Sequence, residues 1–281
     1  MTPVFGVFAR MFPRHTAKEV AEAVASARFR LVQLNLSSFG APTLPPLNTD
    51  LEFVRTAFDA HGIEIWGVSA TFNAIHPDLT IRRNSVARAC GLISNLRGLG
   101  AQVATLCTGS RDANDMWRPH ADNSTKEAWR DLRSTLDELL DAAGRADIVL
   151  GIEPEQGNVI RDTAAANRLL AELGPDAQRV GIILDPANLV TPRTLDRQGI
   201  ILRRAFEVLG SSVIAIHAKD VGPYGGYAAA GTGGLDYGLI AELHGTLPRS
   251  VPVIIQDARE DDVARVVEYL AQHWDKPPRA S

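Results

Sequence analysis

Short apolar runs rich in branched residues alternate with longer amphipathic stretches from one end of this chain to the other. The runs have the length of buried strands, and the stretches between them repeat hydrophobic positions with the period of a helix. Eight candidate strands cover residues 4–9, 30–35, 63–69, 102–108, 148–153, 180–185, 213–218 and 251–256. Each is followed by a candidate helix, over residues 16–27, 50–61, 80–99, 124–144, 161–173, 197–209, 238–247 and 260–273.

Eight consecutive strand–helix units without a long linker indicate an α/β protein whose strands close into a single (β/α)8 TIM barrel. The alternative is an open, doubly wound sheet, which usually carries a glycine-rich fingerprint after its first strand. Here the first strand leads into ARMFPRHT, and no GxGxxG or phosphate-binding loop follows any strand. We therefore predict one barrel domain over residues 1–274 and a disordered tail over residues 275–281.

The composition narrows the classes of function. The 281 residues are 45% hydrophobic, which suffices for one large core. A formal net charge of −4 gives no basic excess for nucleic acid, so a small-molecule partner is expected. Cys90 and Cys107 are too few for a disulfide framework, and we expect two free thiols in a cytoplasmic protein. No apolar stretch reaches the roughly eighteen residues that a membrane span needs.

Polar residues gather where the candidate strands end. In a barrel of parallel strands, the carboxyl ends converge on one mouth, where active sites are built. The eight ends offer Arg10; Asn35 and Ser37; Ser69, Thr71, Asn73 and His76; Thr105, Thr108, Arg111 and Asp112; Glu153 and Glu155; Asp185 and Asn188; His217, Lys219 and Asp220; and Gln256.

Three of these residues form the sharpest candidate site. Glu153, Asp185 and His217 close the fifth, sixth and seventh strands. Carboxylate oxygens and an imidazole nitrogen together suit a divalent ion such as Mn²⁺, Mg²⁺, Co²⁺ or Zn²⁺. Any one of them alone would be explained more simply as a group that fixes a loop by a salt bridge or hydrogen bond. Because three neighbouring strands aim them at one point, we predict a divalent metal site.

Four motifs make nearly the whole chain resemble the xylose-isomerase-like sugar phosphate isomerase/epimerase superfamily. They are GIEPE at the fifth strand, ILDPAN at the sixth, AIHAKD at the seventh and GTGGLDY before the seventh helix. In that family the glutamate, aspartate and histidine at these strand ends hold one divalent ion, which carries over to Glu153, Asp185 and His217. The resemblance also implies a small sugar-type substrate and, since such barrels often pair, allows a homodimer.

Two positions depart from the family's pattern. A glutamate usually completes the metal site at the end of the eighth strand, where this chain has Gln256, which can offer a carbonyl oxygen but cannot act as a base. A histidine is common three residues after the sixth-strand aspartate, where this chain has Asn188, which cannot shuttle a proton at neutral pH. Asp257 follows Gln256, but the alternation of side chains along a strand predicts that it points to the other face.

The resemblance implies an isomerase or epimerase that acts on a sugar, keto-sugar or cyclitol through a metal-stabilised enediolate. In that chemistry the ion polarises a carbonyl and a neighbouring hydroxyl, and a carboxylate removes the acidified proton from the α-carbon. Glu153 is the expected base as well as a ligand. Epimerisation commonly uses a carboxylate on each face of that carbon, so Gln256 favours single-base chemistry, such as a carbonyl shift or the elimination of water.

Three other functions stay open. One is a dehydratase or other lyase with the same metal-enolate chemistry, and another is a sugar-binding barrel without catalytic activity. The third is an endonuclease of abasic DNA, as in a distant branch of the family. The negative net charge and the small number of histidines at strand ends disfavour this third function.

Two loops supply candidate substrate contacts. The long polar loop over residues 105–123 could act as a lid or binding loop, with arginines that grip a carboxylate or phosphate and an indole that stacks on a sugar, or it could be an ordinary surface loop. In the loop over residues 69–78, His76 could act as an acid or simply be a turn residue before a proline. The candidate substrate-binding residues are Asn73, Arg111, Trp117, Arg118, His120, Glu155 and Asn188, and the candidate catalytic residues are Glu153, Lys219 and His76.

Overall fold

Eight parallel strands close into one barrel, as predicted from the sequence. The structure is a computed structural model that describes residues 3–275. The strands are β1 (Phe5–Phe8), β2 (Leu31–Leu34), β3 (Glu64–Ser69), β4 (Val103–Leu106), β5 (Val149–Ile152), β6 (Val180–Leu184), β7 (Val213–Ala218) and β8 (Val253–Ile255). Each lies inside a candidate strand of the sequence. The predicted tail lies outside the described residues apart from Asp275.

One principal helix follows each strand and covers the outside of the barrel. The helices are α1 (Ala17–Ser26), α2 (Glu52–Asp59), α3 (Leu79–Asn95), α4 (Lys126–Ala146), α5 (Thr163–Leu173), α6 (Gln198–Leu209), α7 (Tyr237–His244) and α8 (Val263–Trp274). Polar side chains cap the first turn of several of these helices. The Thr125 hydroxyl, for example, accepts a hydrogen bond from the Ala128 N–H at the start of α4.

The barrel closes between β1 and β8, where Phe5 pairs with Val253 and Val7 with Ile255. Because all the pairs are parallel, the carboxyl ends of all eight strands lie at one mouth. Strands such as β2 and β6 are buried along their whole length, since helices cover one face and barrel side chains fill the other.

A small apolar cluster fills the barrel interior below this mouth. It contains Leu31, Ala215 and Ile254. Ala215 lies two residues before His217 on the same face of β7, and Ile254 pairs with His217 in register. The interior is therefore a packed core below and a polar site above.

The loop between β7 and α7 contains a small hairpin in which Asp220–Val221 pairs antiparallel with Tyr227–Ala228. Gly225 and Gly226 form its turn with φ angles of +97° and +73°, in the left-handed region that glycine adopts without strain. The hairpin carries Tyr227 to the barrel mouth.

Cys90 and Cys107 are both free thiols, as predicted. Among residues 3–275, no helix combines the length and the apolar character that crossing a bilayer requires.

Candidate functional site

Three side chains from adjacent strands meet at the barrel mouth. Glu153 directly follows β5, Asp185 directly follows β6, and His217 lies in β7. One donor atom from each lies within 4.8 Å of the others. The Nδ1 atom of His217 is 3.3 Å from Glu153 Oε1 and 3.8 Å from Asp185 Oδ2. These three side chains could hold a metal ion.

The imidazole of His217 has the protonation pattern that a metal ligand needs. Its Nε2 lies 2.8 Å from Gln33 Oε1. Since an amide oxygen only accepts, Nε2 carries a hydrogen, and the neutral form of the ring then presents its lone pair at Nδ1. That Nδ1 is buried and has no hydrogen-bond partner among the described residues. A buried, unpaired nitrogen aimed between two carboxylates fits a bound cation.

Asp185 is held from two sides. Its Oδ1 accepts a hydrogen bond of 2.9 Å from the Ala187 N–H, in the one-turn helix Pro186–Leu189. Its Oδ2 accepts one of 2.8 Å from Gln256 Nε2. Burial raises the pKa of Asp185, although the ammonium of Lys219 acts against this effect.

Lys219 places a fixed positive charge beside the cluster. Its Nζ lies 3.0 Å from Asp185 Oδ2 and 4.0 Å from Glu153 Oε1. Burial alone would lower the pKa of Lys219, but the two carboxylates raise it, so the ammonium stays charged. Burial would also raise the pKa of Glu153, but its interactions with the His217 ring and with the ammonium of Lys219 outweigh burial and lower this pKa below its usual range.

The cluster opens into a cavity of about 280 Å³ at the barrel mouth. This volume suits a small ligand, since drug-sized ligands occupy pockets of roughly 300–1,000 Å³. Aromatic faces and polar groups share its wall. The lining residues are Phe8, Arg10, Gln33, Asn35, Ser69, Thr71, Thr105, Leu106, Cys107, Trp117, Glu153, Glu155, His217, Lys219, Tyr227, Gln256 and Asp257.

A family model described as xylose isomerase-like TIM barrel matches residues 21–272. The chain belongs to this family. No curated protein matches the chain by sequence.

Several solved structures share the fold across nearly the whole chain. A D-tagatose 3-epimerase-like protein is 18% identical with a TM-score of 0.75, and the match covers 97% of each chain. A D-allulose 3-epimerase from Methylomonas sp. in complex with D-allulose is 13% identical with a TM-score of 0.70, over 97% of each chain. A xylose isomerase-like TIM barrel protein from Mycobacterium smegmatis in complex with magnesium is 16% identical with a TM-score of 0.67, over 98% of each chain.

The two positions that depart from the family's pattern both contact the cluster. Gln256 turns its amide nitrogen to Asp185, so its oxygen would face an ion only after the amide is reversed. Asn188 is fully buried, and its Nδ2 donates to Glu153 Oε1 at 2.8 Å and to the Pro154 carbonyl at 3.1 Å. Asn188 therefore fixes the Glu153 carboxylate from behind.

Glu155 and Tyr227 close one side of the pocket. The Tyr227 hydroxyl donates to Glu155 Oε1 at 2.9 Å, and the Tyr227 ring lies 3.6 Å from Lys219 Nζ. Burial and the neighbouring Glu153 carboxylate raise the pKa of Glu155 to about 7. Tyr227 thus joins the β7 loop to the β5 loop across the mouth.

The loop that follows β4 is braced against its neighbours by hydrogen bonds to its main chain. Asn73 Nδ2 donates to the Ser110 carbonyl at 2.7 Å, and Ser110 Oγ donates to the Arg118 carbonyl at 2.5 Å. Asn158 Nδ2 donates to the Met116 carbonyl at 2.9 Å. These bonds hold the loop in place as one wall of the pocket. Trp117 is a residue of this loop that lines the pocket.

Five of the sequence candidates stabilise the loops around the pocket and do not line it. Arg111 is engaged with Asp131 and the Ile75 carbonyl, and Arg118 with Asp112. His120 Nδ1 accepts from the Asp122 N–H.

The other two of the five are Asn73, which braces the loop as described above, and His76. Both ring nitrogens of His76 are used, Nδ1 by the Asp78 N–H and Nε2 by the Ala113 carbonyl. This arrangement is that of a turn histidine. The candidates that do line the pocket are Trp117, Glu153, Glu155, His217, Lys219 and Gln256.

The expectation for Asp257 was wrong. Its backbone has a φ of +55°, in the left-handed region, so the alternation of an extended strand stops at Gln256. The carboxylate of Asp257 lines the pocket, with Oδ2 3.9 Å from Lys219 Nζ.

Two site residues escaped the sequence reasoning. Gln33 was the polar residue inside an otherwise apolar strand, LVQL, and that exception was a usable signal for an inward-facing functional group. Tyr227 gave no such signal, because the hairpin that brings it over Lys219 follows no hydrophobic period.

Proposed function

We propose that this barrel is a divalent-metal-dependent isomerase or epimerase that acts on a sugar, keto-sugar or cyclitol. The observation that carries the proposal is the cluster of Glu153, Asp185 and His217, with its unpaired imidazole nitrogen, which opens into a small pocket lined by Glu153 and His217. Glu153, Asp185 and His217 would hold the ion, and Gln256 would add an amide oxygen. Mn²⁺, Mg²⁺, Co²⁺ and Zn²⁺ all accept such a donor set.

Glu153 is the proposed base. A divalent ion bound here supplies Lewis-acid chemistry, which makes the C–H next to a carbonyl more acidic. The lowered pKa of Glu153 keeps its carboxylate ionised at neutral pH, and the bond from Asn188 fixes its direction. Glu153 would remove the proton from the α-carbon of the substrate, and Lys219 would donate a hydrogen bond to a substrate oxygen that gains negative charge.

The pocket wall supports a sugar-type substrate. Trp117 and Tyr227 offer aromatic faces, and Asn35, Thr71 and Glu155 offer polar groups for hydroxyls. A D-allulose 3-epimerase of the same fold has been solved with D-allulose bound. We extend that substrate class, a keto-sugar, to this chain.

The test is hydrogen exchange into candidate substrates. The protein would be stripped of metal with a chelator, reloaded with one of the four ions, and incubated in D₂O with D-tagatose, D-allulose or L-ribulose. We expect NMR to show deuterium at the α-carbon and a new sugar isomer, both only after metal is restored. Absence of exchange with every ion and sugar would contradict the proposal.

A lyase is the second candidate, and Lys219 is the observation that favours it. An elimination of water needs stabilisation of the departing hydroxyl as well as a base, and Lys219 offers a charged ammonium as a hydrogen-bond donor within 4.0 Å of Glu153 Oε1. The same NMR experiment separates the two reactions, since a dehydratase gives a product that lacks a hydroxyl. Sugar binding without exchange would indicate a non-catalytic barrel.

A further inference from the structure

Asp257 has a backbone conformation that its position in the strand does not require. It follows Gln256 at the end of β8 and has a φ of +55°. Residues with a side chain pay a conformational cost in this region, and aspartate and asparagine pay less than most. Backbone outliers of this kind persist at functional sites, where the surrounding structure compensates for them.

The consequence of this conformation is a carboxylate in the pocket. Asp257 Oδ2 lies 3.9 Å from Lys219 Nζ, and Glu153 Oε1 lies 4.0 Å from the same nitrogen. Asp257 and Glu153 come from β8 and β5, and both line the pocket. The pocket therefore presents carboxylates from two separate strands around one ammonium.

Local interactions do not explain why the carboxylate is there. Its ion pair with Lys219 is long, and the Asp257 side chain is 47% exposed, so the pair contributes little to stability. Within residues 3–275, no group donates a hydrogen bond to the Asp257 carboxylate at normal distance, whereas Asp185 has two such donors. The acceptor capacity of Asp257 is open to a ligand.

Resting on the proposed function, we infer that Asp257 determines substrate specificity by accepting a hydrogen bond from a hydroxyl of the bound sugar. A hydroxyl that donates to a carboxylate forms a strong, charge-assisted bond. A site built to bind a hydroxyl discriminates sharply against an analogue that lacks it, because the acceptor is then left unpaired. Asp257 thus binds one hydroxyl of the sugar, while Glu153 removes the proton from the reacting carbon.

The chain offers a matched control for the backbone effect. Arg28 is also a left-handed residue, with a φ of +65°, and it lies between α1 and β2 at the opposite end of the barrel. Glycine at either position relieves the left-handed strain. We expect Asp257→Gly and Arg28→Gly to keep or raise the Tm, and only Asp257→Gly to impair sugar turnover.

The first measurement is steady-state kinetics on the metal-loaded protein with D-tagatose, D-allulose and L-ribulose. For Asp257→Gly we expect the KM of the preferred sugar to rise at least tenfold, with Mn²⁺ affinity within threefold of the wild type. Arg28→Gly should match the wild type in both. An Asp257→Gly variant whose kcat/KM stays within twofold of the wild type would overturn the inference.

The second measurement identifies the hydroxyl. Deoxy analogues of the preferred sugar, each lacking one hydroxyl, would be compared on the wild type and on Asp257→Gly. One analogue should lose at least tenfold in kcat/KM on the wild type and nothing further on the variant. Equal penalties on both proteins for every analogue would overturn the inference while the proposed function stands. A metal-loaded wild type that turns over none of the sugars would overturn the proposed function, and this inference with it.

Discussion

The Nε2 atom of His217 donates its hydrogen to Gln33 Oε1, 2.8 Å away, on the other side of the barrel interior. This bond sets the tautomer of the imidazole and leaves the Nδ1 lone pair directed at Glu153 and Asp185. Gln33 therefore orients a ligand of the candidate metal site and would not itself bind the ion.

Replacing Gln33 should weaken metal binding without removing a ligand. Gln33→Leu keeps the side-chain volume but deletes the acceptor, so we expect the Kd for Mn²⁺ to rise about 10- to 100-fold. Gln33→Glu keeps an acceptor and should bind Mn²⁺ nearly as the wild type does. Isothermal titration calorimetry measures both. An unchanged Kd in Gln33→Leu would show that the imidazole needs no such orientation.

Glu153→Gln should abolish proton transfer. Glutamine has a similar shape and can still offer an oxygen to the ion, but it cannot accept a proton from carbon, so kcat should fall on the order of 10²–10⁴-fold. The assay is deuterium exchange at saturating Mn²⁺, because the amide is a weaker ligand. Glu207→Gln, which alters an exposed pair with Arg204, should leave exchange unchanged. Exchange that persists in Glu153→Gln would assign the base elsewhere.

Glu155 should make the stability of the metal-free protein depend on pH. The pKa of Glu155 is raised to about 7 in the folded protein, so the folded state holds the proton more tightly than the unfolded state. The contribution of Glu155 to the free energy of unfolding is fully present below about pH 4.5, the ordinary pKa of a glutamate side chain. It is lost as the pH rises to about 7. Relative to wild type, Glu155→Gln should thus gain stability over this range, by up to about 3 kcal/mol. Urea unfolding at several pH values tests this.

Glu64→Gln is the control for that experiment. Glu64 is an exposed carboxylate at the start of β3, far from the barrel mouth. Its substitution should shift stability equally at all pH values between 4.5 and 7. A Glu155→Gln variant that behaves in the same way would mean that Glu155 is ordinarily solvated.

Gly157→Ala should disturb the pocket wall. An added Cβ would lie 1.8 Å from the Trp117 carbonyl oxygen, so the loop after β4 would have to move. We expect a loss of about 1–3 kcal/mol in stability, a change in tryptophan fluorescence and a higher KM for the sugar. Gly199→Ala in helix α6 is the control, because the added Cβ would lie 3.9 Å from its nearest neighbour, the Leu239 side chain on α7. That substitution should be neutral or stabilising.

The barrel could be predicted from the sequence because its signals are repeated and local. Each strand is an apolar run of similar length, and each helix repeats its hydrophobic positions with the helical period. A wrong assignment in one strand–helix unit therefore does not alter the assignment of the others. The meeting of Glu153, Asp185 and His217 at the barrel mouth could be predicted for the same reason, since each is the polar exception at the end of a strand.

The rest of the site depends on geometry that residue patterns do not encode. The inward turn of Asp257 comes from one backbone angle, and the position of Tyr227 comes from a glycine hairpin. Arg111 has the chemistry of a substrate ligand, but Asp131 on α4 engages its guanidinium. The type of a loop residue indicates what it can bind, and only the tertiary structure decides which partner it meets.

The wall that carries Trp117 is anchored through the main-chain carbonyl groups of Met116 and Arg118, and the indole takes no part in these bonds. The indole can therefore be exchanged for another side chain while the anchoring bonds persist. Position 117 is thus a natural starting point for engineering: a saturation library there would vary the surface that meets the substrate and leave the frame that holds it intact.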